Sequence, residues 1–127
     1  MRSGMRTLGE LEARVMRVMW RASAPMTVRD TLAELAPERE FAYTTVMTIL
    51  DRLWRKKFLE RTMRGRAYEY HAVVSEAEYT AELMHEMLSG ASDRRAALAH
   101  FLGGMRPADE AELRRIAREA ARRKRLR

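Results

Sequence analysis

The sequence has no cysteine and no long apolar run. The lack of cysteine excludes disulfide bonds and thiolate metal sites, and it fits a protein of the reducing cytoplasm. A helix that spans a membrane needs about 18 consecutive apolar residues, and no segment approaches that length. The first residues, Met1-Arg2-Ser3-Gly4, do not resemble the apolar part of a signal peptide. We therefore expect a cytoplasmic protein that does not insert into membranes.

Residue patterns of catalytic and metal sites are also missing. The three histidines are dispersed over separate elements, at His71, His85 and His100, and no pair has the spacing of zinc ligands. The serines stand at predicted caps and turns, without the context of a hydrolase nucleophile. Methionines at helical positions usually fill a core. We expect no enzyme, no metal site and no cofactor.

What the sequence has is positive charge, with a net charge of +7 over 127 residues. Residues 1–74 carry 14 lysines and arginines against 9 acidic residues, a net of +5. Residues 75–113 carry 3 against 8, a net of −5, and residues 114–127 carry 8 against 1, a net of +7. A polyanionic partner is expected for the first segment and not for the middle one. The basic end fits either a second DNA-contacting arm or a solvated helix terminus.

Apolar residues at helical spacing predict three short helices in the first half of the chain. They cover residues 8–21, 27–36 and 43–57, and the first two begin with the capping-box pairs Thr7–Glu10 and Thr27–Asp30. The third has the sequence YTTVMTILDRLWRKK and carries an apolar stripe for the core, formed by Val46, Ile49, Leu50 and Leu53.

Strand-forming residues follow in the segments FLERTM and AYEYHAVV, with Arg64-Gly65 as a turn between them. Three short helices and a β-hairpin are the order of a winged helix-turn-helix domain, which we place at residues 1–74. Residues 75–127 are predicted to form helices for dimerisation, ending in a basic tail. The fold class is therefore mainly α with a small β-hairpin.

In a winged helix-turn-helix domain the third helix lies in the major groove, where its first side chains reach base edges. Threonine can donate hydrogen bonds to bases and pack its methyl on thymine. Cations farther along the helix and on the hairpin would contact phosphates or the minor groove. The residues that this interpretation assigns to DNA are Thr44, Thr45, Thr48, Arg52, Arg55, Lys56, Arg61, Arg64 and Arg66. For the helix alone, ordinary helix-start threonines and a solvated basic face explain the pattern equally well, and the basic hairpin favours DNA.

The helical pattern returns after Ser75, which forms a third capping pair with Glu78. Three helices are predicted here, separated by SGAS and GGMRP, and they have no large body to pack on because the winged domain uses its own core. Packing between two chains would bury their apolar stripes. A symmetric dimer also matches the symmetry of palindromic DNA. The alternative is a bundle folded back on the first domain. The residues expected at the dimer contact are Tyr79, Leu83, Met84, Met87, Leu88, Leu98, Phe101, Leu102, Leu113 and Ile116.

Four segments together resemble the BlaI/MecI family of penicillinase repressors, which is related to the copper-responsive CopY repressors. They are LGELEARVMRVMW, TVRDTLAEL, YTTVMTILDRLWRKKFLER and GRAYEYHAVVS, and the resemblance runs from about Leu8 to Ala120. It implies a homodimeric winged-helix repressor of inverted repeats with TACA/TGTA-like halves. By position, it places Tyr43, Thr44, Thr45, Thr48 and Arg52 on the DNA-contacting helix and Arg64 and Arg66 on the backbone-contacting hairpin. The C-terminal cysteines of the copper-sensing branch are absent.

The resemblance also implies how repression is relieved. In the family, a membrane-bound metalloprotease sensor responds to a β-lactam, and the repressor is cut before a phenylalanine in its C-terminal region. The similar stretch here is LAHFLGG, which places the cut between His100 and Phe101.

Two other functions remain open from the residues themselves. The third helix and the hairpin could dock a protein, or a small ligand could bind between the two domains, although no sequence feature indicates a ligand pocket. DNA binding should weaken steeply as salt rises, whereas protein docking should be much less sensitive to salt.

Overall fold

A computed structural model describes residues 7–126, and six helices and two strands lie within them. In chain order these are α1 (Glu10–Arg21), α2 (Val28–Leu35), α3 (Tyr43–Arg55), β1 (Leu59–Arg64), β2 (Ala67–Ala72), α4 (Glu76–Ser89), α5 (Arg94–Gly103) and α6 (Pro107–Arg125). The predicted fold class, mainly α with a small β-hairpin, is confirmed. Within residues 7–126, no helix combines the length and the apolar character needed to cross a membrane.

Hydrogen bonds at the helix starts confirm two of the three predicted capping pairs. Thr27 Oγ1 accepts from the Asp30 N–H at 3.1 Å, and Asp30 Oδ2 accepts from the Thr27 N–H at 3.1 Å. The pair of Ser75 and Glu78 is bonded in the same reciprocal way, at 2.8 and 3.0 Å.

The predicted capping pair of Thr7 and Glu10 is wrong. Helix α1 begins two residues later than expected, at Glu10, and Gly9 is its N-cap. The Gly9 N–H donates to Glu12 Oε1 at 2.7 Å, so the bond from the third helical residue back to the N-cap is made by Glu12 and Gly9. Thr7 and Glu10 have the spacing of a capping box, but the next glutamate, Glu12, makes the capping hydrogen bond.

Helices α1, α2 and α3 and the hairpin enclose one hydrophobic core. The predicted stripe of α3 is wholly buried. Burying each large apolar side chain contributes about 1.5–3 kcal/mol to stability, before the entropy cost of ordering the chain. The buried apolar residues are Val15, Met16, Val18, Met19, Val28, Leu35, Val46, Ile49, Leu50, Leu53, Phe58, Leu59 and Tyr70.

The end of α3 differs from its predicted end at residue 57. The backbone of Lys57 has φ 70°, in the left-handed region, and this stops the helix after Arg55. The N–H groups of Lys57 and Phe58 donate to the carbonyls of Trp54 and Leu53, both at 3.0 Å. This reversal is typical of helix C-termini and sends the chain directly into β1.

The two strands are antiparallel, and Gly65 makes the turn with φ 64°. Leu59, Arg61 and Met63 of β1 stand opposite Ala72, Tyr70 and Tyr68 of β2. The Met26 backbone bonds reciprocally with that of Tyr70, at 2.9 and 2.8 Å, so the segment before α2 extends the sheet edge.

The described residues divide into two compact units, the first ending at His85 and the second beginning at Glu86. The first extends beyond residue 74, the predicted end of the winged domain, because Tyr79 of α4 packs on it. The Tyr79 hydroxyl accepts from the Leu8 N–H at 3.1 Å, and its ring lies 5.5 Å from Phe58 and 5.9 Å from Trp20.

The second unit contains the end of α4 together with α5 and α6. Asp93 caps α5 by accepting from the Ala96 N–H at 3.0 Å, and Pro107 opens α6. No described residue of these three helices is buried. Their exposed large apolar residues within helical bounds are Met84, Met87, Leu98, Phe101, Leu102, Leu113 and Ile116.

Candidate nucleic-acid interface

Helix α3 has two opposite faces. Its apolar stripe is buried, and the other side exposes Thr44, Thr48 and Arg52 at steps of four residues, so these side chains follow one line along the helix. Thr45 is half-buried beside them, and Arg55 is exposed in the last turn. The helix has 13 residues and is about 20 Å long, and it carries hydroxyls at its start and cations at its end. Such a face fits the major groove of DNA.

Tyr43, at the start of α3, is close to a cation that was not predicted as a site residue. The guanidinium of Arg29, in the first turn of α2, lies 5.6 Å from the centre of the Tyr43 ring. Both side chains are exposed. The signal that could have found Arg29 is its place in the first turn of α2, since the helix before the recognition helix crosses the DNA backbone in a helix-turn-helix.

The tip of the hairpin presents Arg64 and Arg66 on either side of Gly65, and both arginines are exposed. Arg64 Nη1 lies 3.7 Å from Glu69 Oε1, and its side chain is 80% exposed. A surface ion pair of this kind is weak, so Arg64 can exchange it for a phosphate. The hairpin therefore forms a wing, with Arg64 and Arg66 exposed at its tip.

Arg61 is placed differently from the other predicted DNA-contacting arginines. Its side chain is only 18% exposed, and its guanidinium lies between the rings of Trp54 and Tyr68. Asp51 of α3 accepts from Arg61 Nη1 at 3.4 Å and from Arg55 Nε at 2.8 Å. The hydrogen bond from Arg55 lowers the pKa of Asp51 below its usual range, and the charge of Arg61 acts in the same direction.

Lys56 is bonded within the protein rather than directed outward. Its Nζ donates to Glu12 Oε1 at 2.8 Å and to the Thr7 carbonyl at 3.2 Å. Burial raises the pKa of Glu12, but the hydrogen bonds from Lys56 and from the Gly9 N–H outweigh this, and the pKa lies below its ordinary value. The ion pair joins the start of α1 to the end of α3.

The predicted dimerisation residues fall into three groups. Tyr79 contacts the core of its own chain, so it anchors α4 to the first unit. Leu83 and Leu88 are half-buried, and the remaining seven are exposed apolar residues of α4, α5 and α6. The expected cleavage pair, His100 and Phe101, lies within α5 and both side chains are exposed. Across residues 7–126, no group of three or more potential ligands could hold a metal ion.

Three packed helices, an outward-facing third helix and a basic wing define a winged-helix DNA-binding protein. The chain matches the family profile described as "Penicillinase repressor" over residues 8–119. It is 42% identical over 113 residues to "Transcriptional regulator BlaI" of Mycobacterium tuberculosis, a match covering 87% of this chain and 81% of that protein. The chain therefore belongs to the penicillinase repressor family, as a BlaI-type transcriptional repressor with a winged-helix DNA-binding domain, and it is not an enzyme.

Two further relatives agree with this assignment. The "Penicillinase repressor" of Bacillus licheniformis is 27% identical over 82 residues, which cover 65% of this chain and 63% of that protein. The solution structure of the DNA-binding domain of the repressor BlaI superimposes with a TM-score of 0.53 at 26% identity. It covers 61% of this chain and 94% of that domain, so the likeness lies in the winged-helix part of the fold.

Proposed function

We propose that the chain acts as a homodimer that represses transcription by binding an inverted-repeat operator. Helix α3 of each chain would enter the major groove of one half-site, with the wing on the adjacent backbone. The observation that carries this proposal is the exposed line of Thr44, Thr48 and Arg52, directly opposite the fully buried stripe of α3. The two sides of the helix have separate tasks, because one side holds the fold and the other is left for a partner.

The chemistry of the exposed side divides base contacts from phosphate contacts. Thr44, Thr45 and Thr48 are short, so they can reach base edges only where the helix lies deep in the groove. Tyr43 would stand beside them at the start of the helix. The longer cationic side chains, Arg52, Arg55, Arg64 and Arg66, would neutralise phosphates and set the position of the domain on the duplex.

Replacing Thr48 or Thr45 with alanine is expected to reduce discrimination between operator and random DNA by about 1–3 kcal/mol. Alanine is a better helix former than threonine, so α3 itself should persist. The measurement is competition binding at one fixed salt concentration, with Thr80→Ala as a control on an exposed threonine of α4. An unchanged specificity ratio in both α3 variants would remove these threonines from base readout.

Arg64→Ala and Arg66→Ala should weaken binding to all sequences alike. Each should also flatten the slope of log affinity against log salt by about 0.9, because one fewer phosphate is neutralised. A salt titration on operator and random DNA measures both effects. Arg17→Ala, at an exposed position on α1, is the matched loss of charge and should leave the slope unchanged. A changed sequence preference with an unchanged slope would show that the wing reads bases or groove shape instead.

We propose that residues 75–127 supply the dimer contact, with α4, α5 and α6 as its elements. Support comes from the exposure of their apolar residues, of which Met87 is 71% and Phe101 54% exposed. Large apolar side chains that are exposed in this number on neighbouring segments of the chain favour an interaction site. Two identical chains on a palindrome would each bury this surface against the other.

Relief of repression by proteolysis is the second part of the proposal. Cleavage between His100 and Phe101 requires the last turn of α5 to unwind, since the bond lies within the helix. That turn is exposed and is followed at once by Gly103-Gly104, and helices of this length are marginally stable without tertiary contacts. A sensor metalloprotease in the membrane, responding to a β-lactam, is the partner that the family relationship supports.

A further inference from the structure

The side chain of Arg61 connects three elements of the winged domain. Its guanidinium carbon lies 3.6 Å from the centre of the Trp54 ring on α3 and 4.0 Å from the centre of the Tyr68 ring on β2. Arg61 itself lies on β1, and it donates to Asp51 on α3 at 3.4 Å. One planar cation is thus enclosed by two rings and a carboxylate.

The position of Arg61 in the hairpin explains why this arrangement matters. Arg61 pairs across the sheet with Tyr70. This pair lies next to the pair of Leu59 and Ala72, on the face of the hairpin that meets the core. Beyond them, Met63 and Tyr68 on the same face are exposed. Arg61 therefore stands where the core ends and the wing begins to project, and its contacts with Trp54 and Asp51 support the wing on α3.

The chemistry of the site calls for arginine in particular. A guanidinium is planar and stacks on aromatic rings on both of its faces, while its edge still donates to a carboxylate. A lysine ammonium has the same charge but cannot fill a flat slot between two rings. Because the guanidinium is occupied on both faces and its side chain is mostly buried, it is not presented to a phosphate in the way that Arg64 and Arg66 are.

We propose that Arg61 is a positioning residue that locks the wing to the recognition helix, with Trp54, Tyr68 and Asp51 as the lock. The inference rests on the proposed DNA-binding function and deepens it. These contacts fix the orientation of the wing relative to α3 before DNA binds. The wing residues then contact the duplex without a further loss of conformational entropy. Asp51 orients the guanidinium of Arg61 by accepting its hydrogen bond from α3.

A double-mutant cycle on the full chain separates positioning from direct phosphate contact. Arg61→Ala should lower operator affinity about fivefold to tenfold, because both cation–π contacts that hold the wing against α3 are lost. Arg61→Lys should not restore the affinity, although it keeps the charge. In the Arg64→Ala/Arg66→Ala background the same Arg61→Ala change should have little further effect, because the lock acts through the wing. Tyr68→Leu, which changes no charge, should reproduce the loss.

The contrary results are equally specific. Three results would show that Arg61 contacts phosphate itself and would overturn the proposal. They are an additive loss of affinity in the Arg64→Ala/Arg66→Ala background, a further flattening of the salt slope by about 0.9, and full rescue by lysine.

Ring-current shifts of the Arg61 side-chain protons, measured without DNA, report the packing independently. If they were present while the intact chain bound no DNA, the proposed function would fail and the packing would stand. Their absence would overturn the lock while leaving DNA binding untouched.

Discussion

A chain that ends at His100 is expected to bind the full operator about 10²–10⁴-fold more weakly than the intact chain, because two half-site domains are no longer linked. The truncation removes Phe101 and Leu102 from α5 and all of α6, including Leu113 and Ile116. Each buried leucine or phenylalanine removed from a packed interface costs about 2–5 kcal/mol, so the dimer should dissociate. The winged domain should stay folded, since all of its buried core residues precede residue 71.

Sedimentation and operator binding on the same sample test this expectation. A chain that ends at Ala121 is the matched control, because it lacks the last basic residues but keeps Leu113 and Ile116. It should remain dimeric and bind nearly as the intact chain does, and a flattened salt slope would instead identify the basic tail as a second DNA contact. If the chain ending at His100 stayed dimeric and bound as tightly as the intact chain, both the dimer contact and the proteolytic mechanism would be wrong.

Lys56→Met is expected to destabilise the winged domain by about 2–3 kcal/mol at neutral pH. Removing one partner of a fully buried ion pair costs about 3–5 kcal/mol, and the figure is reduced here because the Lys56 side chain is 36% exposed. Glu12 is left as a buried carboxylate, with a side chain only 4% exposed. Its Oε1 keeps the hydrogen bond from the Gly9 N–H, but its Oε2 accepts none from the described residues, so the loss of Lys56 is compensated only in part.

The pH dependence of this difference gives a sharper test. The pKa of Glu12 is lower in the folded protein than its ordinary value, so its ionised form stabilises the fold at pH above the unfolded-state pKa of about 4.3. That contribution is lost as the pH falls through the folded-state pKa. Denaturant unfolding of the wild type and of Lys56→Met should therefore converge at acidic pH and diverge toward neutrality. Glu12→Gln is the control: with Gln at position 12, the effect of Lys56→Met on stability should lose most of its pH dependence. Parallel curves for the wild type and Lys56→Met at all pH values would contradict the pairing.

Local patterns were sufficient to predict most of the fold. The stripe of Val46, Ile49, Leu50 and Leu53 has helical spacing, and burial of that face follows from the spacing alone. The change to strand-forming residues and the Arg64-Gly65 pair predicted the hairpin for equally local reasons. Such signals depend only on residues within a few positions of one another, so one sequence can contain them completely.

The roles of individual cations were harder to predict, because their partners are distant along the chain. Lys56 bonds to Glu12, which lies 44 positions away, and Arg61 stacks on rings from two other elements. A count of positive charges assigns both residues to DNA contact, because it contains no information on their partners within the protein. Tyr79 illustrates the same limit, because its apolar spacing fits a dimer helix, yet its hydroxyl bonds to Leu8, 71 positions earlier. Tertiary contacts of this kind are decided by the fold as a whole.

The central claim is that the exposed face of α3 and the wing bind operator DNA as a dimer. The most direct measurement is a salt titration of the intact chain on a duplex with two TACA/TGTA-like halves and on a scrambled duplex of equal length. We predict tighter binding to the inverted repeat at every salt concentration and a log–log slope of about −0.9 for each neutralised phosphate, summed over both chains. Equal affinity for the two duplexes, or an affinity that hardly changes with salt, would contradict the claim.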